Sequence, residues 1–363
     1  MQNLNIAPKN YISGYDNLKE LGESVKKISQ KSLILSDETV YSVVKEALES
    51  LTEHKIEYKK EIFSGECNYD EIDRITKLLK DGDYTSIIGF GGGKIMDTVK
   101  ASGFKAEVKI ITVPTSAATC AAWSSHSAIY TFAGIAYEYM NIYRNPDLLY
   151  MDKKIIAEAP ARYIIAGIQD TLAKWIETDA STQNMDKKNT ETEIAMYLAK
   201  KTYDEMFEYS IKAIDDIKKG EYTEEIDKII ENVILTAGLV GGIGGEACRA
   251  VAAHALNNGF TVIPEIYRKN LHGEVVGFGN IVQMILDKKE ENEIEVVIKF
   301  YKGINARCTM QDLGYNDLSE RDEEAIINRA LYKGDTIWNL PYVVTYDELK
   351  NAIKKADKLI INN

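Results

Sequence analysis

The segment 85-TSIIGFGGGKIMDTVKA-101 sets the architecture. A β-branched run ending at Phe90 is followed by three consecutive glycines, Gly91, Gly92 and Gly93, and then by apolar residues at helical spacing. A strand that turns through glycines into a helix is the repeating unit of an α/β fold. Without side chains, Gly92 and Gly93 would let a pyrophosphate approach the backbone, where a helix N-terminus offers unpaired N–H groups and about half a positive charge. Lys94 would add a full charge, and Asp97, one turn on, would reach a hydroxyl or fix the loop. The same spacing also fits a tight turn that binds nothing. It is not the common dinucleotide fingerprint, in which GxGxxG follows the first strand and an acidic residue lies about 20 residues later. The acidic candidate here, Asp37, ends a strand well before the loop. As a ribose ligand Asp37 would favour NAD over NADP, because a carboxylate repels a 2′-phosphate; it is equally what a helix N-cap requires.

The pattern continues on both sides of this unit. Strands are expected at residues 31–37, 57–63, 85–90 and 108–114, with helices at about 39–53, 69–82 and 94–104 between them, which implies βαβ units and a mostly parallel sheet. A hairpin is expected around Gly134, pairing Ile129 to Thr131 with Tyr137 to Tyr139, followed by a strand from Leu148 to Met151. After Pro160 the periodicity becomes helical, with helices expected at about 162–182, 190–219, 223–240, 245–256, 272–287 and 291–307. The expected organisation is therefore an α/β domain over residues 1–159 and an all-helical domain over residues 160–363. A chain of 363 residues exceeds the size at which single cores usually stop growing.

Two of the four histidines fall in 251-VAAHALNNGFTVIPEIYRKNLHG-273, and a lone acid sits in the apolar run 163-YIIAGIQDTLAKWIE-177. Asp170, His254 and His272 would give a divalent metal three ligands and leave one position open, the coordination of a catalytic site. Taken singly, His254 also fits a satisfied core histidine, His272 a helix start and Asp170 a surface acid. Asp170 is the most telling of the three, because a carboxylate among apolar residues is costly to bury without a cation or strong hydrogen bonds.

Composition excludes several classes. The net charge of -12 argues against a nucleic-acid or anionic-membrane partner, since no concentrated basic patch offsets it. No apolar run reaches the roughly 18 to 20 residues of a membrane span, and the amino-terminal MQNLNIAPKN lacks the pattern of a signal peptide, so a cytoplasmic protein is expected. Cys67, Cys120, Cys248 and Cys308 lack the spacing of a disulfide framework or a thiolate zinc site. The expected partners are a small-molecule substrate and further copies of the same chain.

Four motifs in this order, 89-GFGGGKIMDTVKA-101, 113-VPTSAATCAAWSSHSAIYT-131, 167-GIQDTLAKWIE-177 and 251-VAAHALNNGFTVIPEIYRKNLHGEVVGFGNIVQ-283, resemble the metal-dependent, iron-containing type of alcohol dehydrogenase, in particular its glycerol dehydrogenase branch. The resemblance implies a Rossmann-like dinucleotide-binding domain followed by a helical metal-binding domain, the dehydroquinate synthase-like fold. It places Asp170, His254 and His272 on the metal ligands and Gly92, Gly93, Lys94 and Asp97 on the pyrophosphate loop. It also places Thr115, Ser124 and Tyr130 along the adenine and nicotinamide halves of NAD or NADP, with His126 replacing an apolar residue in the same wall. Iron-binding relatives carry a further His four residues after the metal Asp; Lys174 stands there, which favours zinc with iron as the alternative. Cys120 lies in the substrate wall, where glycerol dehydrogenases carry an Asp that meets polyol hydroxyls, and 119-TCAAWS-124 looks like a hydroxycarboxylate dehydrogenase branch that reduces 2-oxo acids. Asn257 replaces a His that relays protons.

The implied activity is hydride transfer between NAD(P)(H) and a small alcohol or carbonyl compound, either a polyol such as glycerol or a 2-hydroxy acid and its 2-oxo acid. Two other readings share the architecture. A dehydroquinate synthase-like lyase needs dense phosphate-binding bases near the metal, whereas residues 240–285 hold only Arg249, Arg268 and Lys269. A non-catalytic NAD-binding protein is made conceivable by the changes at Cys120 and Asn257.

Overall fold

The computed structural model describes residues 4–363, so the first three residues of the amino-terminal segment lie outside the described residues. The chain divides into two compact units, Met1–Pro160 and Ala161–Asn363.

Among the described residues the first unit is built on eight strands: β1 (Tyr11–Gly14), β2 (Lys31–Ser36), β3 (Glu57–Ile62), β4 (Ser86–Gly91), β5 (Lys109–Pro114), β6 (His126–Tyr130), β7 (Ala136–Asn141) and β8 (Leu148–Asp152). Six form one sheet in the order β1-β8-β5-β4-β2-β3, every neighbouring pair parallel. β4 and β8 are buried along their whole length, as the unbroken apolar reading of such strands requires, whereas the charged β3 lies at an edge and buries nothing fully. β6 and β7 make a separate antiparallel hairpin in which Ile129 pairs with Glu138; its first strand starts three residues before the expected one and ends one residue short of it, and its second is longer at both ends. β1 was not anticipated. Its four residues YISG carry no alternation, and it exists because β8 offers a parallel edge.

The helix expected at 39–53 is two helices, Glu38–Val43 and Lys45–Glu53, broken at Val44. Helix Gly93–Lys105 packs hard on the sheet: a Cβ on Gly89 would come within 2.7 Å of Val99, and one on Gly103 within 2.6 Å of Ile110.

The second unit is helical. Helices Ala161–Thr182, Thr190–Lys219 and His272–Leu286 match the expected spans to within a residue. Three expectations need correction. The helix placed at 223–240 runs as Glu224–Glu231, a π-helical turn Asn232–Thr236 and Ala237–Gly244. The helix placed at 245–256 is a 3₁₀ turn, Gly245–Cys248, followed by non-helical residues and then helix Ala252–Phe260. Gly245, at φ 55, terminates the preceding helix, and the chain must turn before the histidine-bearing helix begins. The helix expected at 291–307 stops at Gly303. Beyond it lie helices Glu320–Ala330 and Tyr346–Asn362, outside the spans expected from the periodicity. Among the described residues no helix is long and apolar enough to cross a membrane.

Candidate functional site

In the first unit the glycine loop ends β4 and starts helix Gly93–Lys105, with Gly92 as its N-cap. Gly91 sits at φ 151, and a Cβ there would meet Ile95 at 2.5 Å, so the turn itself requires glycine. Gly92 is different. Its backbone is in the ordinary extended region, and the nearest atom to an added Cβ is Ser116 Oγ at 3.9 Å. Neither strain nor packing in the protein demands glycine at 92, and the open space over it lies against a helix N-terminus, where an anionic group fits.

Thr115 N–H donates to the Gly91 carbonyl at 3.1 Å. Lys94 ion-pairs with Glu66 at 2.7 Å, and its ammonium lies 5.6 Å from the Tyr130 ring centre, joining two of the expected residues. Asp97 fixes structure: it pairs at 2.9 Å with Lys100 and accepts from the Ala128 N–H at 3.2 Å. Lys100, fully buried, also donates to Ser124 Oγ at 2.8 Å and to the His126 carbonyl at 2.5 Å. Its place three residues after Asp97 on one helix face was the only sign of this role in the sequence. Asp37 caps helix Glu38–Val43 through the Val40 N–H at 2.8 Å, at the end of β2, the strand that pairs with β4. Cys120 is half-buried and is not in a disulfide.

In the second unit three helices converge. Helix His272–Leu286 carries Gly273, Gly277 and Gly279, and each gives up a side chain to a neighbour. A Cβ on Gly273 would stand 1.9 Å from the Ala166 carbonyl oxygen, on Gly277 2.1 Å from Gln169, and on Gly279 2.7 Å from the Ala253 carbonyl oxygen. Helices Ala161–Thr182 and Ala252–Phe260 therefore pack backbone to backbone against it. Asp170, His254 and His272, one from each helix, come together as a result, with one ligand-capable atom from each within 4.8 Å of the others.

The distances say what kind of cluster this is. Asp170 Oδ1 lies 3.4 Å from His254 Nε2 and 3.4 Å from His272 Nε2. A charged hydrogen bond would be about 2.7–2.9 Å, whereas two ligands held about 2.0–2.1 Å from a tetrahedral ion stand roughly 3.4 Å apart. Asp170 Oδ1 is buried without a hydrogen-bond partner, as the same geometry requires. A divalent cation fits this donor set. Burial alone would raise the Asp170 carboxyl, but the Lys174 ammonium and the two imidazoles hold it well below the usual carboxylate range, so it is anionic at neutral pH. Burial would likewise lower His254, but the charge of Glu177 and the neighbouring Asp170 carboxylate outweigh it and push the imidazole up to about 9 in the metal-free protein.

Glu177 was missed. It is buried, and it accepts from His254 Nδ1 at 2.6 Å and, through its other oxygen, from the Val251 and His254 N–H groups at 2.8 and 3.1 Å. Its spacing of two helical turns from Asp170 puts both acids on one face, a signal readable in 167-GIQDTLAKWIE-177. Asn257, at the expected relay position, is fully buried and accepts from the Tyr267 hydroxyl at 2.9 Å.

A parallel sheet followed by a helical unit in which one carboxylate and two imidazoles face a common point is the architecture that metal-dependent dehydrogenases share with dehydroquinate synthase-like lyases. A family model for iron-containing alcohol dehydrogenase matches residues 8–153. The chain belongs to the iron-containing alcohol dehydrogenase family, oxidoreductases that act on CH–OH groups of small alcohols. It is 34% identical to a glycerol dehydrogenase of Citrobacter freundii over 359 residues, covering 97% of this chain and 96% of that one. It is 30% identical to hydroxycarboxylate dehydrogenase A of Escherichia coli, over 82% of this chain and 81% of that one. The crystal structure of glycerol dehydrogenase from Schizosaccharomyces pombe superposes with a TM-score of 0.90 at 28% identity, covering 99% of this chain and 92% of that one. Membership implies a nicotinamide dinucleotide and a divalent metal as cofactors.

Proposed function

We propose that this protein transfers hydride between NAD and a small alcohol or its carbonyl counterpart at a zinc ion held by Asp170, His254 and His272. The observation that carries the reading is the pair of 3.4 Å separations around Asp170 Oδ1, a buried oxygen that accepts no hydrogen bond. In this reading residues 1–159 form the dinucleotide domain and residues 160–363 the metal domain. Gly92 leaves room for the pyrophosphate, Gly93, where a Cβ would stand 3.3 Å from Thr119 Oγ1, opens the helix N-terminus that faces it, Lys94 and Tyr130 flank it, and Thr115 and Ser124 line the path of the cofactor. Asp97 acts through Lys100 to hold Ser124 and the hairpin in place. Asp37, at the end of β2, stands for the ribose and for NAD rather than NADP. Zinc is preferred to iron because Lys174 stands where iron-binding relatives carry a further His ligand.

When bound, the metal supplies Lewis-acid polarisation of the substrate oxygen and the nicotinamide supplies the hydride exchange. The chain positions and holds. Asp170 supplies the one negative charge among the three ligands, and the two imidazoles complete a neutral-donor pair. For the substrate, a small polyol follows from the glycerol dehydrogenases among the relatives. A 2-hydroxy acid is the second reading, favoured by Cys120, which puts a thiol where a carboxylate would repel an anionic substrate. An assembly of like chains in the cytoplasm completes the proposal.

Metal analysis of the purified protein, combined with absorbance of reduced nicotinamide over polyols, diols and 2-oxo acids, tests it. Bound zinc and turnover on one substrate class are expected. Asp170→Ala, His254→Ala and His272→Ala should each strip the metal and abolish turnover with cofactor affinity nearly intact. Cofactor binding without turnover on any substrate would favour a non-catalytic protein instead.

A further inference from the structure

Glu177 receives three donors on one carboxylate. One oxygen accepts from the Val251 and His254 backbone N–H groups, and the other lies 2.6 Å from His254 Nδ1. Helix Ala252–Phe260 has no side-chain cap of its own, so Glu177, reaching across from helix Ala161–Thr182, supplies one, and Gln283 Oε1 takes the Ala252 N–H at 3.0 Å. The same carboxylate thus fixes both the backbone and the ring of His254.

We propose that Glu177 is the positioning residue of the metal site, holding His254 in the tautomer with hydrogen on Nδ1 so that the Nε2 lone pair faces Asp170 and the metal. The inference rests on Asp170, His254 and His272 being the ligands. A carboxylate only accepts, so the contact at 2.6 Å places the ring hydrogen on Nδ1 and leaves Nε2 free to coordinate. No neutral residue can do both jobs. Glutamine at 177 has one acceptor oxygen: turned toward the backbone, its NH₂ faces Nδ1 and selects the tautomer with hydrogen on Nε2, which cannot bind a metal; turned the other way, it aims NH₂ at two N–H groups. Hydrogen-bond partners of metal-bound imidazoles generally influence metal affinity by about 10–100-fold.

The test measures zinc affinity by chelator competition, and thermal stability of the metal-free protein, for the wild type, Glu177→Gln, Glu177→Asp and His272→Ala. Glu177→Gln should bind zinc about 10–100-fold more weakly, and Glu177→Asp, which keeps two acceptors, should recover part of that loss. In ¹H–¹⁵N spectra of the zinc-loaded wild type, His254 should show a protonated, exchange-protected Nδ1. Unchanged zinc affinity in Glu177→Gln, with only metal-free stability reduced, would make Glu177 a helix cap and nothing more. An unprotonated Nδ1 would overturn the assignment as well. If the wild type binds no zinc, or His272→Ala binds it normally, the ligand set itself fails and the inference falls with it; normal wild-type binding, weakened by His272→Ala but not by Glu177→Gln, removes Glu177 alone.

Discussion

Gly92 and Cys120 are the residues at which binding can be separated from folding. Because an added side chain on Gly92 meets open space, Gly92→Ser should leave the fold intact or stabilise it by a few tenths of a kcal/mol, serine being a better N-cap. The same hydroxymethyl group would occupy the approach of a pyrophosphate. A rise of at least about tenfold in the NAD dissociation constant, roughly 1.4 kcal/mol, with an unchanged melting temperature is the expected result; calorimetric titration and a thermal melt check it together. Cys120→Asp should shift preference toward polyols, measured as the ratio of kcat/KM for glycerol to that for a 2-oxo acid. No gain on glycerol would mean that Cys120 does not set specificity. At Asn257 the outcome is already visible in the packing: a buried amide accepting from Tyr267 offers no titrating group to carry a proton.

The elements show where sequence patterns were legible and where they were not. The glycine turn, the buried β4 and the long helices of the second unit announce themselves through runs and periodicity within one segment. β1 has no such signature, since only the edge of β8 makes Tyr11–Gly14 a strand. The last two long helices were readable from their caps, 345-TYDE-348 forming a capping box and Ser319 accepting from the Asp322 N–H, but their apolar faces are diluted by charge. In the site, Asp170 and the histidines stood out by residue type, whereas Glu177 is one acid among many until its three donors are seen. Helix Tyr69–Asp81 offers a test of electrostatics at this scale. Glu71 is buried; desolvation would raise its carboxyl, but Arg74, bonded at 2.7 Å, and the Ser64 N–H at 3.1 Å hold it below the ordinary value of 4.5. Arg74 also reaches Glu61 of β3 at 2.5 Å, so the cluster ties the helix to the sheet edge. A carboxyl depressed in the folded state contributes stability that is present above its unfolded pKa and lost as pH falls through the folded one. Glu71→Gln should therefore cost about 1–3 kcal/mol at pH 7, and the gap from the wild type should close progressively below pH 4.5 in denaturant titrations.

For the molecule as a whole, the ligands come from three helices of the unit Ala161–Asn363, so a cation held there would bind the folded unit and not the unfolded chain. Stripping the metal with a chelator should lower the melting temperature, and restoring zinc to about 100 times its dissociation constant should return about 2.7 kcal/mol. Differential scanning calorimetry with and without zinc checks this, and Asp170→Ala should abolish the difference. An equal response in that variant would place the binding elsewhere.

The contrast between two glycines reaches beyond single variants. A methyl group at 273 collides with a neighbouring main chain, while one at 92 enters empty space. In a library carrying every amino acid at both positions, a screen for expressed, protease-resistant protein should return glycine alone at 273 but a broad assortment at 92. A screen for growth on the substrate should narrow 92 to glycine as well, so the two screens read together would map which parts of this chain evolution keeps for shape and which for chemistry.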